Sequence, residues 1–282
     1  ARRAGESVMT NDFVDEDKGR RAYQYLPGQR RVRLAPDLAY DTPNSSTGGM
    51  STIDDIYLFN GRQDRFDFKL VGKKEIYVPY NAYRFVYHDK AEDLFKPKFI
   101  NPDFVRWELH RMWVVEATLK EGARHIYSRR TFYVDEDSWM ILASDQYDGR
   151  GQLWRPGFAY LTQHYEAAVP SNAVSGHYDL IAGTYYINQW PGANGIKVLT
   201  TMQPDSMWTS DALASQGVRC RHRGARFAHP PAASVAPGRA GAGRAGSRAA
   251  CRARAGSRTG SPHPCGPRGR CGRCGARSFR CR

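Results

Sequence analysis

Along residues 106–120, Trp107, Leu109, Trp113, Val115, Ala117 and Leu119 share one parity, while Glu108, His110, Glu116, Thr118 and Lys120 share the other. Successive side chains of a strand point to opposite faces, so a period of two held this long specifies a long β-strand with one apolar and one wet face. A helix fits the pattern less well. Burial on one side only is the habit of antiparallel sheets, and the segment therefore points to a mainly β, antiparallel fold.

The neighbouring segments repeat the pattern. Residues 23–26 and 29–34 flank Pro27-Gly28, a turn dipeptide, and read as a hairpin. Residues 56–59 and 65–70 flank Asn60-Gly61, the strongest local hairpin signal in the chain, with Phe66, Phe68 and Leu70 on one face. Val71-Gly72-Lys73-Lys74 is expected to turn the chain into a strand at 75–78, which Pro79 stops. Residues 126–134, 139–147 and 153–165 continue as a meander, the last bulged at Pro156-Gly157, and 178–187 is the final strand. One or two helical turns are expected over 89–95. A short helix is expected over 210–216, capped by Ser210. Residues 1–21 read as an irregular lead-in.

Composition divides the chain at residue 219. From Cys220 to Arg282 there are 15 Arg but no Lys, Asp or Glu, so residues 1–219 carry 27 basic and 28 acidic groups. The body is nearly neutral, and the overall charge of +14 gives no reason to expect nucleic acid as its partner. All six cysteines lie in the last 63 residues, of which 45 are Arg, Ala, Gly or Pro. With no Leu, Ile, Met, Trp or Tyr there, segment 220–282 has too little apolar surface to offset ordering entropy and is expected to be disordered. Its composition is that of GC-rich DNA read out of frame. Cys271 and Cys274 with Cys265 and Cys281 give a crude zinc-like spacing, but a zinc module would also need a small core around it.

The body shows no Gly-x-Ser-x-Gly, P-loop, His-Glu-x-x-His or glycine-rich dinucleotide turn, so a non-enzymatic role without cofactor is expected. His88, His110, His125, His164 and His177 are scattered without ligand spacing, so they are expected on surfaces or strand faces and not at a metal. Asp54-Asp55 would point to opposite faces if its segment were a strand, which favours a capping role over a paired acid and base. Two charges break the alternation. Arg111 lies on the apolar parity of its strand, and Asp145 on that of Trp139, Ile141 and Ala143. Either each sits where its strand leaves the core, or they pair or hold a ligand head group. Of the 34 aromatics, 32 lie in the body. Most would be core, yet gathered on a concave sheet face they would line an apolar groove, with Phe66, Phe68, Trp107, Trp113 and Trp139 as the wall candidates.

Five stretches carry a resemblance: Tyr25-Leu-Pro-Gly-Gln-Arg-Arg-Val-Arg33, Gly48-Gly-Met-Ser-Thr-Ile-Asp-Asp55, Trp107-Glu-Leu-His-Arg-Met-Trp-Val-Val-Glu-Ala117, Arg130-Thr-Phe-Tyr-Val-Asp-Glu-Asp137 and Tyr147-Asp-Gly-Arg-Gly-Gln-Leu-Trp154. Over residues 22–219 the chain resembles an uncharacterised Gram-negative envelope family described as outer-membrane lipoprotein-sorting-like, with a LolA-like fold. The resemblance implies a curved antiparallel half-barrel with a few short helices, incomplete at its N-terminus, in the periplasm. It also implies binding or shuttling of a lipid or other hydrophobic molecule, with an envelope transporter as a partner. A structural or adaptor role in an envelope transport complex is the alternative. It further implies a C-terminal part of a longer protein, with a signal peptide and several strands missing and the sequence aberrant after Arg219.

Overall fold

The computed structural model describes residues 6–199 and 201–215, so expectations for segment 220–282 lie outside the described residues. In chain order the strands are β1 (Ser7–Asp12), β2 (Arg20–Leu26), β3 (Arg31–Leu34), β4 (Phe66–Pro79), β5 (Phe95–Lys96), β6 (Phe99–Ile100) and β7 (Trp107–Leu119). They continue with β8 (Arg129–Asp135), β9 (Ile141–Tyr147), β10 (Leu153–Ala159), β11 (Thr162–His164), β12 (Val169–Ser171), β13 (Ser175–Asp179) and β14 (Thr184–Asn188). Two single-turn helices, α1 (Tyr83–Val86) and α2 (Ala91–Leu94), join β4 to β5.

Seven strands form one antiparallel sheet in the order β14-β13-β10-β9-β8-β7-β4, and β1-β2-β3 form a separate small sheet. The large sheet is open and curved. Four inter-strand steps separate β10 from β4, a distance of roughly 19 Å in a flat sheet. Yet the Leu161 amide, just beyond β10, donates to the carbonyl of Pro79 at the end of β4 at 3.4 Å. The sheet must curl to bring them together. Leu58, Val78, Met112, Leu142 and Leu161 fill the space this creates, and α1 and α2 add a second cluster of Phe85, Val86 and Leu94 with Tyr160 and Val174. Half-barrel architecture with short helices is thus the fold, as the resemblance implied.

Several local expectations change. The Asn60-Gly61 hairpin does not form: Ile53–Leu58 is a pair of short 3-10 turns kinked at Ile56–Tyr57, with φ of 57° at Tyr57. A short apolar run reads alike as strand or buried helix. Gly61 is needed for another reason, since a Cβ there would sit 2.9 Å from the Cβ of Asp54. Val71–Lys74 is not a turn either. β4 runs through it with a bulge between Leu70 and Gly72, which absorbs the change of parity. The expected strand at 178–187 is a hairpin, β13 and β14, turning at residues 180–183. The lead-in contains β1, paired with β2 along its whole length. Helix at 210–215 is present, but Thr209 supplies the cap, accepting from the Ala212 amide.

Candidate functional site

Cross-strand pairing sets two rows of side chains on one face of the sheet. Residues directly opposite in a ladder share a face, so Ala117, Arg130, Gln146 and Arg155 make one row across β7 to β10. Val115, Phe132, Ser144, Gly157, His177 and Tyr186 make the next, from β7 to β14. Gly157 is required by proximity. A Cβ there would lie 2.4 Å from the His177 ring and 2.9 Å from Ser144 Oγ. The Ile53–Leu58 segment packs over β9, β10 and β13 and places Asp54 and Asp55 onto these rows.

The result is a buried polar centre. Arg130, fully buried, donates through Nη1 to Asp54 Oδ2 at 2.8 Å and through Nη2 to Asp55 Oδ1 at 2.9 Å. Rings of Phe59, Tyr127 and Phe132 surround its guanidinium at 5.1, 5.2 and 5.3 Å. His125 Nδ1 accepts from the Tyr127 amide, so its Nε2 carries the proton that reaches Asp54 Oδ2 at 3.0 Å. Asp55 also accepts from Tyr127 Oη at 2.9 Å, Gln146 Nε2 at 2.8 Å and the Thr52 amide at 2.9 Å. Arg155 donates to Tyr127 Oη and to Asp179 Oδ2, extending the network to β13.

Charges here are tuned by their neighbours. Burial pushes the Asp54 carboxyl up, but Arg130 and the His125 hydrogen bond outweigh it and hold the group at about 2. Burial would lower Arg130, yet Asp54 and Asp55 raise it above its ordinary value. His177 is driven down to about 4, chiefly by burial, so it is neutral at physiological pH. Its Nε2 accepts from Gln146 at 3.0 Å, and its Nδ1 meets Tyr186 Oη at 2.6 Å. Ser144 Oγ lies 3.4 Å from His177 Nε2, but both side chains are buried and Gln146 already occupies that nitrogen. The arrangement is suited to clasping the Ile53–Leu58 segment onto the sheet.

The predicted residues fall elsewhere. Phe66, Phe68, Trp107, Arg111 and Trp113 share one face of the β4–β7 ribbon, because Phe66 pairs with Leu119 and Phe68 with Ala117, of the same parity as the other three. Phe66 is core, packed with Ala117 and Phe132. Phe68 and Trp107 are exposed, and Trp113 lies under the Lys73 ammonium at 4.1 Å. Trp139 and Asp145 do not join them. Trp139 is not on a strand: it is 70% exposed in the β8–β9 turn at φ 58°. Nor do Arg111 and Asp145 pair. Arg111 is exposed beside Glu136 at 3.1 Å, and Asp145 accepts from Tyr133 Oη at 2.9 Å. The odd parity of β7 is exposed over Trp107, Leu109 and Arg111, so Arg111 sits where its strand leaves the core, whereas Asp145 lies half-buried within β9 between Thr131 and Pro156. Two clefts of about 350 and 390 Å³ lie beside the small sheet, and none of the seven residues lines either.

The sequence reading missed the buried centre. Its signal was present: Arg130 shares the parity of Phe132 and Val134 and is a stronger violation than Arg111. His164 and His177 lie on strands, as expected, though both are buried; the expectation fails for His125, whose side chain is buried outside any strand. Asp55 does cap its segment, but both carboxylates face Arg130, because the segment is not a strand. Away from the centre, His110, Asp135 and Asp137 bring three ligand-type atoms within 4.8 Å of one another.

An open antiparallel half-barrel pinned by a buried ionic centre is the class of protein these features define. A family model described as "Protein of unknown function (DUF1329)" matches residues 1–214, and the chain belongs to that family. An uncharacterised protein of Pseudomonas aeruginosa is 43% identical over 225 residues, covering 78% of this chain and 49% of its own length. The chain thus spans about half of that curated relative. Among solved structures, a DUF1329 family protein from Desulfovibrio piger is similar with a TM-score of 0.48 and 16% identity, covering 76% of this chain and 72% of that one. A LolA superfamily protein from Nitrosomonas europaea has a TM-score of 0.36 and 10% identity, covering 73% and 77%.

Proposed function

We propose that this domain binds a lipid or other hydrophobic molecule in the bacterial envelope and passes it on without chemical change. One observation carries the reading: the exposed apolar strip on the β4–β7 ribbon. Tyr77 and Leu109 are direct cross-strand partners, 65% and 53% exposed, and Trp107 beside them is 42% exposed. Further along the same face Leu70 and Phe68 are also exposed. Neighbouring apolar side chains left in water on a folded sheet mark a surface that something covers, at roughly 25 cal/mol per Å² removed from water. Arg111, Glu75 and Lys73 interrupt the strip and would meet a polar head.

The resemblance to Gram-negative envelope proteins supports the periplasm as the proposed compartment and an envelope transporter as the proposed receiver. Among the described residues no helix is long and apolar enough to cross a membrane. A second reading, an adaptor that docks through a sheet edge, is favoured by the position of β4, which is long and lies at the end of the sheet order. Lys69, Lys73 and Lys74 on that strand work against indiscriminate edge pairing.

Native mass spectrometry of a full-length family member taken from its own periplasm tests the proposal. A bound hydrophobic species of defined mass is expected. Protein that is free of any such species and captured only with a partner chain would place the adaptor reading first.

A further inference from the structure

We propose that His110, Asp135 and Asp137 form a binding site for one divalent transition-metal ion at the β8–β9 turn. The three residues converge from β7 and from that turn. His110 Nδ1 lies 3.0 Å from Asp135 Oδ1 and 3.9 Å from Asp137 Oδ2. Ligands about 2.0–2.2 Å from a tetrahedral ion stand about 3.3 Å from one another, so small side-chain adjustments suffice for coordination.

The surroundings resemble the outer support of a metal site. Asp135 is fully buried, and its other oxygen, Oδ2, is fixed by the Ser138 amide at 2.9 Å and Ser138 Oγ at 2.6 Å. That leaves Oδ1 facing His110. The imidazole is oriented by Tyr80, stacked on it at 3.9 Å, and its Nε2 faces Glu108 Oε2 at 3.8 Å. A carboxylate behind the far nitrogen is the common arrangement for a ligating histidine, because it sets the tautomer and raises basicity.

Charge gives an independent reason. Asp135 and Asp137 have no Lys or Arg nitrogen within 4.0 Å among the described residues, whereas Glu108 is paired with Arg106 and Glu136 with Lys73 and Arg111. A buried carboxylate beside another, hydrogen-bonded by Ser138 but with only an imidazole as a possible cationic neighbour, leaves a negative field that a divalent cation would neutralise. One nitrogen and two carboxylate oxygens suit zinc or manganese better than calcium, and three protein ligands leave room for an exogenous group.

The test is calorimetric titration of the full chain with zinc chloride after metal removal, with the six cysteines, all at or beyond residue 220, blocked by alkylation. One equivalent should bind saturably and raise the melting temperature by mass action. Asp137 is largely exposed, so Asp137→Asn should leave the metal-free melting temperature unchanged while weakening zinc at least tenfold. His110→Gln should weaken it to a similar extent. No saturable binding would overturn the proposal. So would zinc uptake that neither variant changes, or a preference for calcium over zinc.

Discussion

Asp54 and Arg130 lie 76 residues apart in the chain, yet Asp54 Oδ2 and Arg130 Nη1 stand 2.8 Å apart, with side chains 3% and 0% exposed. The pair, with Asp55, ties the segment after the small sheet to the middle of the large one. A buried ion pair is a poor source of net stability compared with apolar packing, but removing one member leaves an uncompensated charge in a low dielectric. Arg130→Met should therefore destabilise by about 3–5 kcal/mol, measured by urea unfolding. Removing one of the two carboxylates as well, by adding Asp54→Asn, returns the trio to its original net charge and should recover part of that loss, so the double variant should be less impaired than the sum of the singles.

Acid should weaken the fold in two windows. His177 is held at about 4 when folded, against an ordinary value near 6.5. Between those pH values the unfolded chain takes up a proton that the folded one refuses, so stability falls as pH falls, by on the order of 3 kcal/mol in all. Asp54, held at about 2, contributes stability that is complete above about 4 and is lost as pH drops towards 2. Melting temperature followed from pH 7 to 4 should slope downward in the wild type, and His177→Gln should flatten that slope whatever its effect on absolute stability.

Gly157 offers a test of the packing beside that histidine. Gly157→Ala places a methyl within 2.4–2.9 Å of His177 and Ser144 and should cost about 1–3 kcal/mol by overpacking. The same change in a His177→Ala background should cost less, because the clashing ring is gone. Equal costs in both backgrounds would show that the row is looser than described.

Arg111 supplies the contrasting case. It is 65% exposed and, among the described residues, paired only with Glu136, so Arg111→Ala should shift stability by no more than about 1 kcal/mol. A double-mutant cycle between Arg111 and Asp145 should show no coupling.

Legibility of the sequence followed the strength of local signals. The long alternation of β7 gave its bounds to within a residue, Pro79 marked the end of β4, and Pro27-Gly28 marked the β2–β3 turn. Where local and tertiary signals conflicted, the tertiary ones prevailed. Residues 56–59 looked like a strand arm because their apolar residues are consecutive, but most of that run belongs to the 3-10 turns of Ile53–Leu58, which Asp54 and Asp55 tie to Arg130. The bulge after Leu70 was read as a turn because Gly72 and two lysines resemble one. The buried centre was illegible as a whole: its members come from residues 54 to 186, and only the sheet register brings them into line. The aromatic strip was half legible. Parity placed Phe66, Phe68, Trp107 and Trp113 on one face, but it could not show that Phe66 is core while Trp107 is exposed.

Uptake of a hydrophobic molecule on the exposed strip of Tyr77, Trp107 and Leu109 is measured by titration with a fluorescent fatty-acid probe. Because Tyr77 and Leu109 are mostly in water, Tyr77→Ser and Leu109→Ser should change the melting temperature little. Saturable, stoichiometric binding by the wild-type domain and by a full-length family member is expected, weakened at least fivefold by each variant. Absence of saturable binding to both proteins across fatty acids, phospholipids and sterols, or binding that the two variants leave unchanged, would contradict uptake on this strip.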